Sequence, residues 1–208
     1  MMNTARKPRI LKSLLLLLLL AWGAVACQSS QTDGDASETQ ALPTQLSTQS
    51  LPPEYVRSQG QQISQWVVEA EASSEYSSPE WAAEQAIGAP DTHRCGDYQT
   101  AWASASSDSI VWLEVKFPLA VYVTAVNISQ SFNPNQVVAV ELVGQFGRSI
   151  EIYNQPPAQV NQPCPYTLPI SIDKTKGRFD TVRITIDQSV LGLGWNQIDA
   201  VELVGEAD

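Results

Sequence analysis

The chain has 208 residues, with 12 Lys or Arg against 22 Asp or Glu and a formal net charge of −10. That balance argues against polyanionic nucleic acid and anionic lipid headgroups as partners, and leaves cations and neutral ligands such as sugars. The length suits one ordinary folded domain with extensions.

At the N-terminus, Arg6, Lys7, Arg9 and Lys12 precede an unbroken Leu14 to Leu20 and then Ala21 to Cys27, the pattern of a secretory signal over residues 1–26. Its apolar part is roughly ten to fifteen residues, short of the roughly twenty that cross a bilayer core, so it reads as a cleaved leader. Ala24-Val25-Ala26 satisfies the small-residue cleavage rule. Cys27 follows directly and makes the junction similar to a bacterial lipoprotein box, although such boxes usually carry Leu where this chain has Ala24. The expectation is an exported protein lipidated at Cys27 and held at the cell envelope or surface, with free secretion as the alternative. Cleavage removes four basic residues, leaving 12 − 4 = 8 against 22 acids and a net charge of −14. Residues 27–62 are rich in Ser, Thr, Gln and Pro with no apolar period, and are expected to form a disordered tether.

Residues 63–205 carry the signal of a folded domain, with 206–208 as a short tail. "PEWAAEQAIG", from Pro79 to Gly88, is the one helical candidate, of about two turns. In "VWLEVKF", Val111, Leu113, Val115 and Phe117 share one face and Trp112, Glu114 and Lys116 the other. "VYVTAVNIS", "VVAVELV", "RSIEIY", "YTLPISI", "DTVRITI" and "QIDAVELV" follow as further strands. Seven or eight short strands with turn residues between them predict an all-β sandwich or jelly roll. "AVELVG" occurs at Ala139 to Gly144 and again at Ala200 to Gly205, but the flanking sequences differ. We read two strands that met similar packing demands independently. Once Cys27 is set aside, Cys95 and Cys164 remain in a chain bound for an oxidising compartment, and are expected to pair. A Cys-based metal site with His93 is the rival.

The run from "EASSEYSSPEWAAEQAIGAPDTHRCGDYQTAWAS" through "FNPNQVVAVEL", with "VRITIDQS" and "GWNQIDAVELVG", resembles the SD-scarf domain of pappalysins and bacterial surface proteins. Such domains are similar to galactose-binding-like jelly rolls, the group of discoidin domains and many carbohydrate-binding modules. The resemblance implies a non-catalytic binding role, with carbohydrate or a surface glycan as ligand. Jelly rolls of this kind often hold a structural calcium in the equivalent loop. Carried over, that implies Asp91, Asp97, Thr100 and Glu202 as ligands, with Asp199 as the substitute if the register differs. Asp91 could instead cap its own turn.

Polar loop residues at one end of a sandwich are the default place for a ligand. Tyr98, Asn133, Asn135, Arg183, Asp187 and Asn196 are candidates, although Arg183 alternates with Val182 and Ile184 and is expected to pair with Asp187 or another acid. Trp195, between Gly192, Gly194 and a strand, could stack on a sugar ring or plug one end of the sandwich. Trp102 and Trp112 are expected in the core or on a sheet face. No "H-E-x-x-H" or "G-x-S-x-G" motif is present, so an enzyme is not expected. Two alternatives stay open: a structural or protein-interaction module without small ligand, and a glycoside hydrolase. The first would lack a concave loop-end pocket with an exposed aromatic. The second needs two acids about 5 Å or about 6.5–9.5 Å apart in a cleft.

Overall fold

The computed structural model describes residues 55–59, 61–144, 147–161 and 164–207. The signal, Cys27 and the tether as far as residue 54 lie outside the described residues. Among the described residues, nine strands run in chain order: β1 (Val56–Gln59), β2 (Gln62–Trp66), β3 (Glu69–Ala72), β4 (Ile110–Phe132), β5 (Val137–Val143), β6 (Ser149–Asn154), β7 (Tyr166–Ser171), β8 (Arg178–Asp187) and β9 (Gln197–Glu206). Two boundaries differ from expectation. β1 falls inside the predicted tether, pairing antiparallel with β2, and β9 runs one residue past the predicted end of the domain. The predicted helix is also corrected: only Ala83–Ala86 coil, as one 3-10 turn with Ala83 and Ala86 buried. Just ahead of it, Trp81 adopts a left-handed φ of 57° that no helix can contain.

The strand pairings resolve into two layers joined by β4. Its first part, up to Lys116, pairs with β3 on one side and β8 on the other, and β8 continues to β5 and β6. Its second part, from Tyr122, pairs with β9 and β7, and β9 continues to β2 and β1. This is the antiparallel jelly-roll sandwich that the alternating sequence predicts.

β4 changes layer at the Phe117-Pro118-Leu119-Ala120 bend, where its register with β8 shifts. Proline supplies no N–H, and the backbone here needs partners other than a ladder. Gln65 provides them from β2: its Nε2 donates to the Leu119 carbonyl (2.8 Å) and its Oε1 accepts from the Leu119 N–H (3.0 Å). A fully buried amide therefore occupies an inward position of β2, between Ile63 and Val67.

Between the layers lie Val111, Leu113, Val115 and Phe117 from β4, with Val182, Ile184 and Ile186 from β8, Val140 and Leu142 from β5, and Val201 and Leu203 from β9. Each such side chain contributes about 1.5–3 kcal/mol on burial. Trp102 is fully buried among them, and Trp112 faces outward as expected, with the Arg183 guanidinium 4.7 Å from its ring centroid. The two "AVELVG" segments fall on β5 and β9, which sit in different layers with different neighbours.

Candidate functional site

The connections 73–109, 133–136 and 188–196 emerge at one end of the sandwich, because Ile110 pairs with Asp187, Val137 with Ile186, and Phe132 with Gln197. The β6–β7 connection reaches the same end. A disulfide between Cys95 and Cys164 ties it to the long first connection (Cα–Cα 4.9 Å), and the Gly96 N–H donates to the Ser131 carbonyl beside it (3.1 Å).

The long connection is fixed from beneath by Trp102, which exchanges two backbone hydrogen bonds with Ile198 at the start of β9 (2.8 and 3.1 Å). Its indole N–H donates to the Ser74 carbonyl (3.2 Å). On this base the chain presents Tyr76, whose N–H donates to the Ala103 carbonyl (2.8 Å), and Trp81, whose carbonyl accepts from the Ala103 N–H (3.1 Å). Trp195 arrives from the other side, its indole N–H donating to the Ser104 carbonyl (2.9 Å). The Tyr76 ring stands edge-on to both indoles: 5.3 Å and 72° to Trp81, 5.5 Å and 85° to Trp195. Tyr76 remains 54% exposed.

A single carboxylate completes the cleft. Asp97 Oδ1 accepts from the Trp81 indole N–H (2.8 Å) and from Gln197 Nε2 (2.5 Å). Gln197 is itself buried, and its Oε1 accepts from the Tyr98 N–H (3.1 Å). The cleft is lined by Tyr76, Trp81, Asp97, Ala103, Trp195 and Gln197 and encloses about 40 Å³. That is room for a few water molecules, each needing about 10–15 Å³ on this measure. A ligand would therefore rest across the rings with only a small group inserted. Trp81 holds its left-handed backbone conformation at a cost of order 1–3 kcal/mol for a non-glycine residue, and such strain concentrates at ligand sites.

Residues 57–208 match the family model described as Pappalysin-1, SD scarf domain, C-terminal. The chain belongs to this SD scarf family. Among solved structures, a selenomethionine-labelled mutant of chitosan-binding module 1, from a chitosanase/glucanase of Paenibacillus sp. IK-5, superposes with a TM-score of 0.51 at 18% identity, covering 66% of this chain and 93% of that one. Module 2 of the same enzyme, in complex with chitotriose, gives 0.50 at 14% identity over 65% and 94%. The family 32 carbohydrate-binding module of C. perfringens NanJ, in complex with galactose, gives 0.49 at 18% over 68% and 99%. The likeness is one of fold, a galactose-binding-like jelly roll. No curated protein matches the sequence.

The SD scarf domain distributes its other polar candidates unevenly. Asn133 and Asn135 have φ of 39° and 72°, a region Asn tolerates, and serve the backbone. Asn133 Nδ2 donates to the Leu193 and Trp195 carbonyls (2.6 and 3.1 Å), and Asn135 Nδ2 to the Ala158 carbonyl (2.8 Å). Asn196 is buried, donating to Gln130 Oε1 and the Phe132 carbonyl (both 3.1 Å). Asp187 accepts from Ser189 N–H and Oγ (3.0 and 2.6 Å). Arg183 pairs with Glu114 (2.7 Å), its cross-strand neighbour, rather than with Asp187. These five act within the SD scarf scaffold, and only Trp195 of the predicted ligand residues enters the aromatic cleft.

The four residues expected to share a calcium ion stand in three places. Asp91 and Thr100 border a shallow depression with Thr92, His93, Arg94 and Tyr98. Asp97 belongs to the aromatic cleft, while Glu202 accepts from Asn127 Nδ2 (2.8 Å) at a depression bordered by Arg57 and Ser64. Asp199, the alternate, is the β9 acid that meets the Asp91 loop: its carboxylate accepts from the Asp91 N–H (3.4 Å) and the Thr92 N–H (3.2 Å). Thr92 and Thr100 hydroxyls share a 2.6 Å hydrogen bond beside it. Burial, partly offset by these hydrogen bonds, raises the Asp199 carboxyl above its ordinary value. Among the described residues, no three His, Cys, Asp or Glu side chains gather closely enough to hold a metal ion.

Proposed function

We propose that this SD scarf domain is a non-catalytic glycan-binding module, exported by its N-terminal signal and presented by the tether, with lipid attachment at Cys27. The observation that carries the reading is the cleft of Tyr76, Trp81 and Trp195 at the loop end, the place where sandwich domains commonly take ligands. Aromatic faces bury the apolar C–H surface of a sugar ring, while indole and phenol edges meet water. The likeness in fold to modules whose solved forms carry chitotriose or galactose supports the same direction. The cleft contains one carboxylate, where hydrolysis of a glycosidic bond uses two. A concave loop end with an exposed aromatic also favours this reading over a module without small ligand.

The test is a glycan array with the purified protein, followed by titration calorimetry on the strongest class. Trp195→Ala and Trp81→Ala should each weaken binding by about tenfold or more, the scale of losing a stacking ring at an interface. Retained affinity in both variants, or no binding to any glycan, would overturn the reading.

A further inference from the structure

The Tyr76 ring stands edge-on to the Trp81 and Trp195 indoles, and the three rings line one cleft together with Asp97. Among the described residues, no basic side chain lines this cleft. Asp97 is held in place through one oxygen: both the Trp81 and Gln197 donors fall on Oδ1, and among the described residues none donates to Oδ2. The fold therefore orients this carboxylate through one oxygen and leaves the other, on an exposed residue at the cleft, to accept a further donor.

Three aromatic rings and a carboxylate lining one cleft are the complement of an alkylammonium ion. The ring quadrupoles attract positive charge, and desolvation between the rings strengthens that attraction. The carboxylate adds a charge-assisted hydrogen bond. A cleft of about 40 Å³ is small for a sugar ring but suits a protruding substituent. The surplus of acids over bases in the chain adds a long-range field of the same sign. An acidic sugar would meet Asp97 as a like charge, and an N-acetyl group would bring Oδ2 a single neutral amide N–H in place of a charged donor.

Resting on the glycan-binding reading of this cleft, we infer that its ligand is an amine-bearing saccharide of the glucosamine type, whose protonated amino group enters the Tyr76–Trp81–Trp195 cage and pairs with Asp97 Oδ2. Asp97 then sets specificity, and the rings supply the platform shared by other sugars.

The experiment titrates the protein with a glucosamine trimer and with its fully N-acetylated counterpart, for the wild type and for Asp97→Asn. Asparagine is isosteric, and its Oδ1 can still accept from Trp81 and Gln197; near-ultraviolet circular dichroism checks that the indoles have not moved. Trp195→Ala serves as the platform control. The free-amine trimer should bind about tenfold or more tightly than the acetylated one, as expected for a cation–π contact plus an ion pair. The preference should shrink to within about twofold in Asp97→Asn, one charge-assisted contact being lost. It should also vanish when the pH is raised until the amine is neutral. Tetramethylammonium chloride should displace the trimer at concentrations where equimolar sodium chloride does not. Equal affinity for the two trimers, a preference unaltered by Asp97→Asn, or equal displacement by the two salts would each overturn the inference while leaving the glycan reading intact. Absence of binding by either trimer and by every neutral glycan would overturn the underlying reading instead.

Discussion

Replacing both Cys95 and Cys164 by serine should lower stability by an amount set by the length of chain they enclose. The bridge spans 69 positions. With a loop of that length, the chain-entropy relation removes about 2.1 + 1.5R ln 69 ≈ 15 cal/mol/K from the unfolded state, or about 4.4 kcal/mol at 25 °C. For a domain of this size, that corresponds to a fall in midpoint of roughly 9–18 °C at about 2–4 °C per kcal/mol. The assay is thermal unfolding of the wild type and the double variant by circular dichroism under identical conditions, with thiol titration of the wild-type domain confirming that Cys95 and Cys164 do not react. The bridge joins two loop-end connections, the first already held by the Gly96 to Ser131 hydrogen bond and by Trp102 and the second by the paired hydrogen bonds of Ala158 and Asn135, so the native fold of the variant should persist. A midpoint within about 2 °C of wild type would refute the reasoning, because the unfolded chain would then gain no measurable freedom from losing the link.

Gly205 lies where β9 crosses β4 so closely that an added Cβ would meet the Tyr122 carbonyl at 2.5 Å and Val121 Cγ2 at 2.6 Å. Gly205→Ala should therefore cost about 3 kcal/mol or more in urea unfolding, at or above the upper end of ordinary overpacking; a wild-type midpoint would contradict that close approach. The raised Asp199 carboxyl means the folded protein binds its proton more readily than the unfolded chain does, so stability should decline as pH rises from about 4, the unfolded value, through the higher folded value. Asp199→Asn should flatten that decline in denaturant midpoints taken between pH 4 and 7, and parallel profiles would refute it. Arg183→Gln removes a partly exposed pair with Glu114 and the contact with Trp112, costing about 1 kcal/mol, with glycan affinity unchanged because the pair lies on the sheet face. Weakened glycan binding in that variant would place Arg183 at the ligand after all.

Period-two alternation made most of the sheet legible: in Val111 to Phe117 and Val182 to Ile186 the spacing of apolar residues alone marks which side chains enter the core. β1 and β2 escaped because Gln65 occupies a core-facing position, so "QISQW" reads as polar although two of its residues point inward. The reason is non-local, a bend in β4 whose backbone needed an amide. The candidate helix failed for a related cause. "PEWAAEQ" has helical composition, but Trp81 is held by Ala103, Gln99 and Asp97, all more than fifteen positions away. The same contacts explain why Trp195 was visible as a ligand residue while Tyr76 and Trp81 were not. A Trp just after two closely spaced glycines announces an open loop, whereas these two look like the lead-in to a helix. The asparagines misled in the opposite direction, since a polar residue in a loop looks available until its donors are found on neighbouring carbonyls.

β4 belongs to both layers, and this bears on how the protein acquires its shape. Its partners come from far apart in the chain, β3 about forty residues earlier and β8 and β9 about seventy later. Pairings of such long range are slow to form, since loop closure must precede any reward. Neither layer can be completed without the one strand that both require. The domain should consequently fold in an all-or-none step on the slow side for its size, and a chain nicked at the Phe117–Ala120 bend should yield two fragments that acquire structure only together.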